Sequence, residues 1–118
     1  MLSTQTLIEK IKLSPEQVQF KEVIDVIERE YDFTPMAFTN GSQNNGINEN
    51  NGSCKIFSFA SIHQLSEAET LQLFGDFYRV DVLENPTAED HQNIRQFIKH
   101  GWDGIYFETT ALVKKDTL

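Results

Sequence analysis

A single cysteine, Cys54, stands in 118 residues, so neither an internal disulfide nor a multi-thiolate metal site can form. That scarcity reads as a protein made and kept in a reducing, cytoplasmic setting. Basic residues are also few: ten Lys and Arg against eighteen Asp and Glu leave a net charge of −8. A field of that sign repels phosphate backbones and anionic lipid surfaces, which argues against nucleic acid and membrane as partners. No apolar run nears the ~20 residues that span a bilayer. The segment Met1–Lys12 lacks the basic start and apolar stretch of a secretory signal. The three histidines, His63, His91 and His100, are far apart and no His-x-x-x-His or clustered carboxylate pattern accompanies them. Asn48–Gly52 offers one acid where a calcium loop needs several. With no glycine-rich phosphate cradle and no nucleophile-elbow serine either, neither a metal nor a cofactor is expected.

What is present suits one domain over residues 1–118, a length at which a hydrophobic core needs no staples. Nine Phe within a 39% apolar composition supply the filling. Leu7, Ile8 and Ile11 predict a helix over 4–12. Ser14-Pro15-Glu16-Gln17 reads as a capping box opening a helix with the stripe Phe20, Val23, Ile24, Ile27 and Tyr31. Phe33 to Asn40 is extended in character. The stretch Asn40–Gly52 holds six Asn and three of the six Gly and is expected to form a hairpin excursion, a disordered loop or a lid. Helix returns at Ser53 with Ile56, Phe57, Phe59, Ala60 and His63. Ser66–Glu69 and Thr87–Asp90 are two further capping boxes. The first opens a helix with Leu71, Phe74, Phe77 and Tyr78 inward and Gly75 marking a close contact or break. The second opens a helix carrying Ile94, Phe97, Ile98 and Trp102, stopped at Gly101 or Gly104. The tail from Gly104 to Val113 reads as a small hairpin with Met36–Asn40 as its third strand. The fold class is therefore mainly α, about five helices on one core with a minor two- or three-stranded antiparallel sheet, α+β at the margin.

Three blocks carry a family likeness: Tyr31–Gly41, Gly52–Phe57, and Asp90–Arg95 with Gly101-Trp102, joined by Phe74–Arg79. On these the chain resembles the HopJ family, named after a bacterial type III secretion effector candidate, over nearly its whole length. The resemblance implies a small bacterial interaction protein and brings no reaction, substrate or catalytic residue with it. Export through a type III system follows from the family name alone. The polar leader Met1–Thr6 is short for an export signal, so a housekeeping role in the cytoplasm is an equal expectation.

Two constellations are candidates for chemistry. If Ser53 caps a helix, Cys54 lies in its first turn, where the helix dipole and Lys55 would favour thiolate. Gly52-Ser53-Cys54 is locally similar to the Gly-Ser-Cys of papain-like proteases, and His91 with Asp90 or Asn93 follows in their chain order, although that signature's flanking Cys and Trp are missing. This makes Cys54, His91 and Asp90 a catalytic candidate set for a small hydrolase or transferase. The plainer reading is a small buried hydrophobe. The second set is Asp76, Arg79, Asn93 and Arg95, on two helices joined by a short turn, where the arginines would fork onto a small anionic ligand. Its plainer reading is structural ion pairs, Asp76 with Arg79 and Asp90 or Glu89 with Arg95. A partner is thus an unknown protein or a small anion.

Overall fold

Ser3 opens the first helix, α1 (Thr4–Leu13): its hydroxyl accepts from the Thr6 amide, and Thr6 Oγ1 accepts from the Ser3 amide. The computed structural model describes residues 2–115. Ser14 does not cap a long helix as its sequence suggests. Pro15–Gln17 make one 3₁₀ turn, after which Val18 runs extended and fully buried. Burying Val18 takes the chain out of helical geometry. Helix α2 (Phe20–Glu30) then restarts, with the Glu22 carboxylate accepting from the Gln19 amide at 3.0 Å. Val23, Val26 and Ile27 form its buried stripe. Tyr31 leaves that stripe and begins strand β1 (Tyr31–Phe33).

The Asn-rich stretch is ordered in the first of the expected ways, as a hairpin. Strand β2 (Phe38–Asn40) turns through Gly41-Ser42 into β3 (Gln43–Asn45). After α3 (Asn51–Ile62), α4 (Glu67–Gln72) and α5 (Gln92–His100) come β4 (Ile105–Phe107) and β5 (Leu112–Lys114). β4 pairs with β2, as expected, and Phe107 stacks on Phe38 at 4.9 Å. The tail is not a hairpin, however. β5 leaves β4 and pairs antiparallel with β1, because burial of Ala111 and Leu112 draws it to the other end of the core. Two small antiparallel sheets result among the described residues, β1-β5 and β3-β2-β4, beside five α-helices.

Helix α3 is the hub, with Cys54 and every residue from Ile56 to Ala60 buried. The Phe57 ring meets Phe38, Phe74, Phe97 and Trp102 at centroid distances of 5.0–6.4 Å. The Ser66–Glu69 box opens α4 as expected, each partner accepting from the other's amide. Gly75 then breaks the helix at φ +61°, and a Cβ there would sit 2.7 Å from the Phe20 backbone nitrogen. Only glycine admits that approach. Beyond it Phe77–Val82 coil as a π-helical segment, which turns Phe77 outward to 41% exposure where the sequence places it inward. The Thr87–Asp90 box does not form either. The chain turns through it and α5 starts after His91, held left-handed at φ 52°.

Candidate functional site

The N-terminal turns of α3 and α5 face one cleft of about 390 Å³. Phe20, Phe74, Phe77 and Ile94 give it apolar walls, and Gln43, Asn50, Gly52, Ser53, His91, Gln92 and Asn93 give it polar ones. Both helices begin on a left-handed residue, Asn50 at φ 54° and His91 at φ 52°, whose side chain caps nothing. The amides of Cys54, Ile94 and Arg95 are taken by the Asn50 and His91 carbonyls. Those of Asn51, Gly52, Ser53, Gln92 and Asn93 have no acceptor among the described residues. Uncapped first turns present partial positive charge as well as free donors.

His91 is fixed from two sides. Its Nε2 lies 3.0 Å from Asp81 Oδ2, and its ring packs on Phe77 at 5.2 Å. Asp90 is a more distant second carboxylate at 3.9 Å. Beneath the cleft, buried amides lock the β2-β3 hairpin to α5. Asn40 Nδ2 donates to the Asn93 carbonyl at 2.7 Å and to Asn93 Oδ1 at 3.1 Å, while Asn45 and Asn93 exchange hydrogen bonds at 3.1 and 3.0 Å. Asn50 Nδ2 extends the network to Asn45 Oδ1 at 2.7 Å. Asn93 is therefore chiefly a positioning residue for this end of α5.

Cys54 is turned away from this cleft. It is 0% exposed, its thiol faces the Met36 carbonyl at 3.9 Å, and it is not among the cleft's lining residues. Burial pushes the thiol above its ordinary pKa, and the contacts that favour thiolate do not make up for it. A place in the first turn of α3 therefore does not lower it, contrary to what the sequence predicts. Lys55 does favour the thiolate, but less than burial opposes it, and its ammonium is drawn to Glu28 at 3.0 Å and over the Phe33 ring. Ser53 lies one residue ahead on α3, and it lines the cleft that Cys54 does not.

The second candidate set also comes apart. Arg79 donates to the carbonyls of Pro15 and Val18 and to Gln72 Oε1, the last at 2.7 Å, with Asp76 standing off at 3.8 Å. Arg95 donates to Asp90 Oδ1 at 2.7 Å and to the Asp90 carbonyl at 2.6 Å, and that hydrogen bonding holds the Asp90 carboxyl below its ordinary range. These are the structural ion pairs of the plainer reading. Only Asn93 of the four reaches the cleft. Sequence reasoning missed Asp81, and its one signal was an acid on the apolar segment ten residues before His91. Among the described residues no three His, Cys, Asp or Glu side chains group as metal ligands, and no helix is long and apolar enough to cross a membrane.

No curated protein matches the chain. A solved structure does: the crystal structure of the unknown function protein VPA0580 is 53% identical, covers 94% of this chain and 92% of its own, and superposes with a TM-score of 0.93. The family model described as HopJ type III effector protein matches residues 4–112, the span from the first helix to the last strand, and the chain belongs to the HopJ family.

Proposed function

We propose that this HopJ-family chain is an effector-like binding module whose ligand site is the cleft between α3 and α5. Its ligand is a compact molecule with a flat apolar body and an anionic head. One observation carries the reading: free amides from two helix starts, an aspartate-held imidazole and three phenylalanine rings line the same hollow. A cleft of this size with apolar walls and a few convergent polar groups has the character of a small-molecule site. Helix N-termini suit phosphate or carboxylate, since their donors and dipoles favour negative charge. On a chain of net charge −8, that local field favours an anion here.

The reading assigns no covalent chemistry. The cysteine that would supply a nucleophile is sealed in the core, which leaves recognition as the work of this surface. A place in the cytoplasm of a bacterial producer is supported by the single free cysteine, and export through a type III system by the family's description.

Calorimetric titration with phenyl phosphate, inorganic phosphate and phenol tests it. Phenyl phosphate is expected to bind tightest, phosphate more weakly and phenol not measurably. His91→Ala is expected to weaken phenyl phosphate by ~10-fold or more, the loss of one charge-assisted hydrogen bond. Equal affinity of wild type and His91→Ala, or no binding of either anion, overturns the reading.

A further inference from the structure

A second depression, of about 550 Å³, runs along α5 where the π-helical segment ends. Val82, Leu83, Pro86 and Ile98 give it an apolar floor, and Leu83 and Ile98 are 53% and 48% exposed. Leu83 follows directly on the π-helical segment, and Ile98 lies on α5. Large aliphatic side chains left at that exposure along one groove give a partner apolar surface to cover.

The charge along this floor is basic. Its lining includes two cations, Arg95 and Lys99, and no acid. Two other open depressions both carry acids, Glu9 and Glu30 in one, Asp76 and Asp81 in the other. Arg95 is already engaged by Asp90 at 2.7 Å, whereas Lys99 has no ion-pair partner among the described residues. On a chain of net charge −8, an apolar groove edged by a free ammonium is complementary to an acidic partner.

We infer that this groove docks a linear segment of another protein, one that seats an aliphatic or aromatic side chain between Leu83 and Ile98 and sets a carboxylate against Lys99. A second copy of the chain is the poorer occupant, because two bodies of charge −8 repel each other. The inference stands apart from the small-molecule cleft, with which this groove shares only Gln92.

Selection of a random 12-residue peptide library on the intact chain, followed by fluorescence anisotropy of the enriched peptides, tests it. The expected winners carry Leu, Ile, Phe or Trp within three positions of Asp or Glu. Leu83→Asp and, separately, Ile98→Asp are expected to weaken them by ~10-fold or more, as loss of an anchor contact does. Lys99→Glu is expected to weaken them several-fold and to remove most of the salt dependence. Both aliphatic positions are exposed, so the variants are expected to keep the wild-type urea midpoint, and either one alone suffices. Absence of enrichment, enrichment of basic or uncharged peptides, or unchanged affinity in a folded Leu83→Asp or Ile98→Asp chain overturns the inference. A concentration-dependent dimer that Leu83→Asp dissolves overturns it too, by making a second copy the occupant.

Discussion

The Arg79 guanidinium donates to the Pro15 carbonyl at 3.1 Å, tying together residues 64 apart in sequence. The same side chain reaches the Val18 carbonyl and Gln72 Oε1, so it clamps the place where the 3₁₀ turn gives way to the buried Val18, and it shares the Pro15 carbonyl with the Val18 amide. Arg79→Ala is expected to lower unfolding free energy by about 2–3 kcal/mol, the cost of stranding acceptors that a charged donor served. Arg79→Lys is expected to recover less than half, since one ammonium cannot reproduce the fork. Urea titration decides. A variant within about 0.5 kcal/mol of wild type would mean that these contacts hold nothing.

Gly75 brings the chain after α4 close against the backbone that opens α2. Its φ of +61° and the 2.7 Å that a Cβ would leave to the Phe20 nitrogen act together, and backbone cannot rotate aside. Gly75→Ala is expected to cost over about 2 kcal/mol, roughly 1 of it from left-handed geometry. Gly46→Ala is the control, because the Cβ there meets only the end of the Glu49 side chain. Equal, small losses in the two variants would contradict the packing described.

Cys54 is expected to resist iodoacetamide in the native state near pH 6 and to react as pH rises past the ordinary thiol range of ~8.5 or once urea unfolds the chain. The direction follows from burial, which raises its pKa. Rapid native labelling near pH 6, read by mass spectrometry, would show a stabilised thiolate and return the cysteine to the list of nucleophiles.

Stability is expected to fall as pH drops through the imidazole range. The Tyr31 hydroxyl lies 2.6 Å from His63 Nε2, and burial, aided by Lys114, holds His63 below its ordinary pKa of 6.5. The unfolded chain therefore binds the proton first, so this group's contribution is full above pH 6.5 and declines from there toward the lower native pKa. His63→Gln should flatten the slope between pH 7 and 5 in urea midpoints. Glu69, held low by the Ser66 amide, acts in the same direction below its ordinary 4.5 and should leave both chains falling in parallel there. A wild-type slope that His63→Gln does not change would contradict the buried Tyr31–His63 contact.

The helices that sequence announced were those with local signals. The Ser66–Glu69 box, the break at Gly75 and the stop at Gly101 each depend on neighbours within a turn, and all three stand in the fold. Ser14 and Thr87 show the same lettering and cap nothing. Tertiary demands override them, burial of Val18 in one case and the Asp81–His91 contact in the other. The split of the tail between two sheets was illegible for the same reason, since register across the core is not written in a ten-residue window. Of the candidate residues, His91 and Asn93 reach the cleft while Cys54 points inward one residue from Ser53, a difference of about 100° around a helix that hung on where α3 starts. Asp81 was silent because its partner lies across the irregular turn before α5.

The most direct test of the cleft is an amide-resonance titration of the folded chain with phenyl phosphate. Gly52, Ser53, Gln92 and Asn93 are expected to shift together along one saturation curve, the His91→Ala chain to need ~10-fold or more ligand for the same shifts, and Lys21 and Lys99 to stay still. Shifts confined to surface lysines, or spread without saturation, would contradict a site at the junction of these two helix starts.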